Sequence, residues 1–190
     1  MQLNGRERLR RERMKRVMWV VLAVLFFCIT ARAQETPAWE INGGYSYMRA
    51  NLNGPGSSFH MNGGIASVTE NLNDWFGGRL EISAFGGSTG GTNVTAQTFT
   101  YGPVFAYHKF DRFIPYAHAQ FGAIHASQGY LGISQSANKF AMTTGGGVDL
   151  KINRTAAIRV QADYLLTKFL SQTQNNLQFS TGLVIRFGQK

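Results

Sequence analysis

The sequence is poor in cysteine, proline and charge, and each shortage excludes a class of protein. Its single cysteine rules out an internal disulfide framework and a cysteine-rich zinc site. Four prolines and 15% charged residues, beside 13% aromatic residues, are unlike the composition of a disordered chain. Glycine is abundant, with 22 residues, but it follows no collagen period. A length of 190 residues then predicts one folded domain.

The N-terminus has the pattern of a secretory signal peptide. Residues 6–16 are densely basic, residues 17–29 are an unbroken apolar run, and Ala31-Arg32-Ala33 follows as a cleavage signal. The apolar run is short for a membrane helix, which needs about 20 residues. We therefore predict a signal peptide over residues 1–33 and a mature domain over residues 34–190.

Most of the net charge of +9 belongs to this leader. Residues 1–33 contain eight basic and two acidic side chains, so residues 34–190 keep only 19 − 8 = 11 basic against 10 − 2 = 8 acidic ones. Nucleic acid is therefore not an expected partner. Cys28 is removed with the leader. Translation from Met14 instead of Met1 would give a leader of ordinary length, and both starts remain open.

The mature domain alternates apolar and polar residues with a period of two and shows no helical period. Strands of 11 to 15 residues follow from this pattern, whereas strands of soluble proteins average about 5–6 residues and a strand that crosses a membrane needs about 9–11. Eight strands are predicted, at residues 39–49, 59–70, 75–87, 97–110, 113–127, 138–152, 155–167 and 177–187.

The predicted connections alternate between short turns and long polar loops, which favours an up-and-down antiparallel barrel. The loops are nearly uncharged apart from Lys168. The short turns lie near residues 71–74, 111–112 and 153–154, and the long loops at residues 50–58, 88–96, 128–137 and 168–176.

One parity of the strands is rich in aromatic and aliphatic side chains, and the other is small or polar. A water-soluble barrel would turn its apolar parity inward, whereas charge on the opposite parity indicates an apolar exterior in contact with lipid. Aromatic residues near strand ends predict girdles: Trp39, Tyr47, Trp75, Phe110, Phe113 and Phe187. The polar parity is predicted to hold most strand charges: Glu40, Glu70, Arg79, Glu81, Asp149, Lys151, Arg159, Asp163 and Arg186.

Residues 36–190 resemble the small outer-membrane barrels related to OmpA and OmpX, a family with a porin-like outer-membrane β-barrel domain. The resemblance is carried by the eight segments, by inward glycine and charge, and by glycine–aromatic pairs such as Gly44-Tyr45 and Tyr101-Gly102. It implies an all-β, eight-stranded antiparallel transmembrane barrel in the bacterial outer membrane, a lipid environment and a monomer.

The last strand resembles the β-signal by which the barrel-assembly machinery recognises its clients. The matching positions are Ser180, Gly182, Ile185 and Phe187, and three more residues follow the final aromatic. The resemblance implies the assembly machinery as a partner during biogenesis.

An eight-stranded barrel has an interior that side chains can fill. We expect an internal ion-pair network of structural value, and a structural, envelope-integrity or surface-interaction role for the protein. A small gated channel along the same residues is the alternative. The predicted network residues are Arg79, Glu81, Asp149, Lys151, Arg159, Asp163 and Arg186.

No enzyme, cofactor or metal site is predicted. The candidate for a lipid-modifying enzyme is His60, which follows Ser57 and Ser58 near the start of a strand. His118 and His125 lie on opposite parities of one strand and do not converge. The pattern therefore favours a protein without catalytic residues.

Overall fold

The computed structural model describes residues 36–51, 58–89, 92–130, 133–169 and 172–189. Strands make up most of this part of the chain. The eight strands are β1 Pro37–Asn51, β2 Ser58–Asn71, β3 Phe76–Thr89, β4 Thr92–Ala106, β5 Phe113–Tyr130, β6 Ile133–Lys151, β7 Ala156–Phe169 and β8 Gln172–Gln189.

Hydrogen bonds join the strands in sequence order, each antiparallel to the next, and β8 returns to pair with β1. Trp39 of β1, for example, lies opposite Glu70 on β2 and Phe187 on β8. The predicted eight-stranded, antiparallel up-and-down barrel is confirmed. Among the residues that the structure describes, no helix is long and apolar enough to cross a membrane.

Three of the predicted long loops, at residues 88–96, 128–137 and 168–176, are wrong. In each of them two facing strands extend into the predicted loop, and the two residues between the strands lie outside the described residues. The sequences of these segments are mostly polar and show little alternation of apolar and polar residues, yet the backbone ladder continues without that signal. The predicted loop at residues 50–58 is shorter than expected, because β1 continues to Asn51 and β2 begins at Ser58; residues 52–57 lie outside the described residues.

Three short turns lie at one end of the barrel, at residues 72–75, 107–112 and 152–155. We call this the turn end. The opposite end, where β1 is joined to β2, β3 to β4, β5 to β6 and β7 to β8, is called the hairpin end. The first and last strand residues also meet at the turn end. β4 ends at Ala106 and not at residue 110, so the middle turn is longer than predicted.

Two of the turns are built alike around an asparagine. The Asn73 Oδ1 accepts hydrogen bonds from the backbone N–H groups two and three residues further on, at 3.0 and 2.8 Å. The Asn153 Oδ1 makes the same two bonds, at 2.9 and 2.7 Å. An asparagine side chain that replaces a backbone acceptor stabilises a tight reversal, and it therefore sets where β3 and β7 begin.

Side chains alternate between the interior and the outer face along the strands, and the outer face carries a continuous apolar band. On β8 the band spans residues 177–187, and on β6 it spans residues 140–150. Each span has 11 residues, which matches the length of about 9–11 that crosses a bilayer. Towards the hairpin end the outward positions become polar on β1, β2, β4, β5 and β6, at Arg49, Asn62, Gln97, His125 and Asn138.

Glu70 departs from the predicted distribution of charge, because it lies exposed on the outer face. The inward positions of this part of β2 are Thr69 and Asn71, which are both buried. Glu70 sits close to the turn at residues 72–75, at the border of the apolar band, where a charged side chain reaches water.

Aromatic rings gather at the turn-end border of the band. Trp75 stacks on Phe105 with 6.0 Å between ring centroids, and Phe110 stacks on Phe113 at 4.4 Å. This is the distribution of an aromatic girdle. Tyr47 lies at the opposite border. The predicted aromatic positions found at the turn end are Trp39, Trp75, Phe110, Phe113 and Phe187.

Glycines on β6 leave room for groups that project into the interior. A Cβ added to Gly145 would lie 2.2 Å from the Asp163 Oδ1, and one added to Gly147 would lie 2.7 Å from the Tyr116 hydroxyl oxygen. Real Cβ atoms do not approach neighbours so closely, so either substitution must displace its neighbours, which for Gly147 also include the Val160 carbonyl oxygen at 2.2 Å. Gly145 and Gly147 are therefore packing requirements of the lumen.

We predict that Gly147→Ala destabilises the barrel by about 1–3 kcal/mol, the usual effect of overpacking. Urea unfolding in lipid vesicles, followed by tryptophan fluorescence, measures the change. Gly43→Ala is the matched control, because nothing lies within 4 Å of a Cβ at that outward position. Equal stability of the two variants would contradict the packing role of Gly147.

Candidate functional site in the barrel interior

Four charged side chains from different parts of the chain form a closed ring inside the turn-end half of the barrel. Arg159 donates to both carboxylate oxygens of Asp149, from Nε at 2.7 Å and from Nη2 at 2.8 Å, and also to the Glu40 Oε2 at 2.8 Å. Arg186 closes the ring, because it donates to the Glu40 Oε1 at 3.2 Å and to the Asp149 Oδ2 at 2.6 Å. We call these four residues the ionic ring.

The ionic ring links β1, β6, β7 and β8 and is balanced in charge, with two guanidinium groups against two carboxylates. Its side chains are at most 5% exposed. Buried charges at this depth are tolerated only when each is paired and hydrogen-bonded. The ring therefore fastens the strands on both sides of the seam between β1 and β8.

A second group of polar side chains fills the middle of the lumen, and we call it the central cluster. Arg79 donates from Nε to the Thr69 Oγ1 at 2.9 Å, and its Nη1 lies 3.3 Å from the His118 Nδ1. The opposite ring nitrogen of His118, Nε2, lies 3.0 Å from the Asp163 Oδ1. A guanidinium only donates, so the Nδ1 of His118 accepts the hydrogen bond from Arg79. The members are Arg79, Glu81, His118, Gln161 and Asp163.

Gln161 connects the two carboxylates of this cluster. Its Nε2 donates to the Asp163 Oδ2 at 2.6 Å and to the Glu81 Oε2 at 3.2 Å. Its Oε1 accepts from the Tyr116 hydroxyl at 2.6 Å. The Gln161 amide thus donates to two carboxylates and accepts from the Tyr116 hydroxyl. A charged side chain at this position could not both donate and accept in this way.

Tyr116 separates the central cluster from the ionic ring. The guanidinium carbon of Arg79 lies 4.5 Å from the centroid of its ring, and that of Arg159 lies 4.7 Å from the same centroid. The π faces attract both cations. The aromatic ring therefore lets two arginines occupy neighbouring layers of a narrow lumen.

Six of the seven predicted network residues lie in the ionic ring or the central cluster. The seventh, Lys151, lies at the turn-end rim, where its Nζ donates to the Phe110 carbonyl oxygen at 3.0 Å. Lys151 is the last residue of β6, so the turn and the solvent are nearer to it than the ring. Within the central cluster, Gln161 connects Arg79 and Glu81, since it contacts them both.

Sequence reasoning left four interior residues out of the network: Glu40, Tyr116, His118 and Gln161. Their inward parity could be read from the strand pattern. Their partners could not, because contacts such as Glu40 with Arg159 cross the lumen between distant strands. Charge alone also gave no reason to include a neutral amide or a phenol.

A cluster of apolar side chains occupies much of the hairpin half of the interior, which corrects the expectation that inward positions are small or polar. Close packing among apolar neighbours removes any need for partners at these positions. Buried polar residues such as Thr167 and Asn176 lie beside the cluster. Phe59 packs against the group. Its buried members are Met48, Ala50, Met61, Phe85, Val94, Ala96, Ile124, Ala141 and Leu165, and we call them the apolar plug.

A gap of about 10 Å³ lies beside the ionic ring, between Glu40, Arg79, Tyr116 and Asp149. This is close to the least volume that holds one water molecule. This gap thus offers no space for a larger solute.

The candidate catalytic histidine is engaged by other groups. The His60 Nδ1 forms a hydrogen bond with the Tyr47 hydroxyl, and Ser58 accepts from the Arg49 Nη2 at 3.4 Å. His118 is inside and His125 outside the barrel. Within the described ranges, no group of three or more histidine, cysteine or acidic side chains is arranged to hold a metal ion.

The residues of the predicted β-signal lie on β8. Ser180 and Gly182 face inward, and Ile185 and Phe187 are exposed on the apolar band. β8 is also the strand that closes the barrel against β1. The predicted signal peptide and its cleavage site lie outside the described residues.

Residues 19–187 match the family model of the outer membrane protein beta-barrel domain. The chain belongs to this family. It is therefore a protein of the bacterial outer membrane, and the apolar band is the surface that meets lipid. No curated protein is similar enough to this sequence to count as a relative.

Solved structures with the same fold include barrels from three bacterial genera. Neisserial surface protein A is 11% identical, with a TM-score of 0.70, and covers 82% of this chain and 100% of its own. Ail, the attachment invasion locus protein of Yersinia pestis, is 16% identical, with a TM-score of 0.57, over 79% and 100%. The N-terminal barrel of OprF from Pseudomonas aeruginosa is 12% identical, with a TM-score of 0.54, over 80% and 100%.

We predict that Asp149→Asn lowers the free energy of unfolding by about 3–5 kcal/mol, because it leaves buried guanidinium charge without its partner. Exchanging Arg159 for Met in the same chain restores the balance between Glu40 and Arg186 and recovers part of the loss. Urea unfolding in vesicles measures both variants. Glu70→Gln, an exposed acid, is the control and stays within about 0.5 kcal/mol.

Proposed function

We propose that this protein is a closed outer-membrane barrel that acts at the cell surface through its projecting strands, and not by passing solutes through its lumen. The observation that carries this proposal is the obstruction of the interior at three levels. The ionic ring, the central cluster and the apolar plug follow one another from the turn end to the hairpin end.

The hairpin end supplies the surface for such a role. Outer-membrane barrels keep short connections in the periplasm and longer ones outside. Measured from the border of the apolar band, the hairpins are the longer connections, so we place the turn end in the periplasm and the hairpin end outside. Beyond the apolar band, β5 and β6 stay paired from His125 opposite Asn138 to Tyr130 opposite Ile133. These six pairs extend roughly 20 Å along the strands, which carries polar side chains well above the membrane.

The β5–β6 hairpin projects further than the neighbouring strand pair. The described ladder between β6 and β7 begins at Ala141 opposite Thr167, whereas the ladder between β5 and β6 continues to Tyr130 opposite Ile133. Binding residues are concentrated on segments that project from a rigid scaffold. The length of this hairpin therefore favours recognition of a partner.

The charge of the hairpin end favours an anionic partner. Its described positions beyond the apolar band contain no aspartate or glutamate, while Arg49 and Lys139 are basic. A structure of Ail contains the heparin analogue sucrose octasulfate. Heparin is therefore a suitable first probe for this chain.

We expect refolded residues 34–190 to insert into planar bilayers without unitary conductance steps, because the lumen is filled. Heat-shifted gel mobility verifies that the barrel is folded before insertion. A gated channel is the competing function. Discrete steps in the unchanged protein that alter with Arg79→Ala or Arg159→Ala would establish that channel in place of the proposal.

We also expect immobilised heparin to retain the folded protein, and to retain it at least several-fold less after Arg49→Gln and Lys139→Gln are combined, because both are basic residues of the hairpin end. The control combines Lys109→Gln and Arg154→Gln, which removes the same charge at the turn end. If the Arg49 and Lys139 variant binds like the unchanged barrel, the basic residues of the hairpin end are not the binding surface.

A further inference from the structure

Charge at the turn end is unevenly distributed around the barrel. The β2–β3 side carries the exposed acids Glu70 and Asp74. The turns at residues 107–112 and 152–155 lie two and four strands further round the barrel, and together with the adjoining end of β6 they carry four basic side chains. On that side Asp111 is the one exposed acid among the described residues. We call the four residues the basic flank: Lys109, Arg112, Lys151 and Arg154.

Backbone contacts hold the basic flank together although it comes from two turns. The Lys151 N–H donates to the Arg112 carbonyl oxygen at 2.9 Å, and the Lys151 Nζ reaches the Phe110 carbonyl oxygen at 3.0 Å. The two turns therefore lie side by side. Arg154 is exposed at the tip of the second turn.

Aromatic rings place the basic flank at a definite depth. Tyr107 contacts Phe110 with 5.1 Å between centroids, and Phe110 stacks on Phe113 at the border of the apolar band. The Lys109 Nζ lies 5.7 Å from the centroid of Tyr107. Interfacial aromatic residues lie at the level of lipid headgroups, so the basic side chains beside them are level with the phosphates.

We propose that the basic flank binds the phosphate groups of anionic phospholipid in the leaflet that surrounds the turn end. Arginine and lysine are the side chains that recognise phosphate. The net charge of +3 from four bases and one acid supplies an attraction that the acidic β2–β3 side does not. The inference rests on the membrane location of the barrel and is independent of the proposed surface function.

A lipid is a better occupant than a soluble polymer because the site is continuous with the apolar band. Ile152, at the start of the second turn, is 59% exposed and lies two residues from Arg154. A ligand with both acyl chains and a phosphate covers the two together. A peptidoglycan fragment would cover only the charges.

Native mass spectrometry of the folded barrel tests the proposal. The protein is released from nanodiscs that contain equal amounts of phosphatidylglycerol and phosphatidylcholine, and the retained lipids are counted. We expect several-fold more phosphatidylglycerol than phosphatidylcholine. Changing Lys109, Arg112 and Arg154 together to Gln should lower phosphatidylglycerol retention by about fivefold for each removed charge.

The control is Arg49→Gln at the hairpin end, which should retain phosphatidylglycerol like the unchanged protein. Heat-shifted gel mobility verifies folding, and if the triple variant does not fold, Arg154→Gln alone is measured. Equal retention of the two lipids, or full retention of phosphatidylglycerol by the folded variant, would overturn the proposal. So would a soluble peptidoglycan fragment that depends on the same three residues while phosphatidylglycerol does not.

Discussion

Contact of the outer barrel face with lipid is the constraint on which the rest of this structure depends. Hydrocarbon offers no hydrogen bonds, so the backbone groups of the membrane-crossing segments must bond to one another, and a sheet achieves this only by closing on itself. The pairing of β8 with β1 provides that closure. Because lipid excludes charge from one face of every strand, charged residues within the span are confined to the other, where the lumen is narrow enough for them to meet.

The narrow lumen turns this confinement into specific contacts. Each buried charge needs a partner of opposite charge. In the ionic ring, two arginines and two acids from four strands pair with one another. Tyr116 then lets Arg79 and Arg159 lie in successive layers, and Gly147 leaves the space that its hydroxyl occupies. In the hairpin half the demand is smaller, since methionine and leucine side chains occupy much of it without polar partners. Among the described residues, the charged groups of the interior are thus confined to the ionic ring and the central cluster.

Period-two alternation made the barrel predictable, because lipid and lumen impose opposite chemistry on successive residues. The same signal was absent where both faces are polar, so the hairpin ends of β5 and β6 were read as a loop. Inward parity placed Arg159 and Asp149 in the lumen, and their closeness follows from facing positions on adjacent strands. Glu40 and His118 were missed as partners because their contacts depend on how strands far apart in sequence face each other across the interior.

The two ends of the barrel differ in their environment, although the same strands form both. At the turn end, asparagine side chains stabilise tight turns. Aromatic rings at the border of the apolar band fix the depth of the barrel in the membrane, so the charged residues beside them have a defined height in the leaflet. At the hairpin end the hydrogen-bonded ladder extends beyond the apolar band. The side chains there no longer contact lipid, so they need not be apolar. A sequence can change freely in strands that no longer contact lipid, provided that the ladder persists.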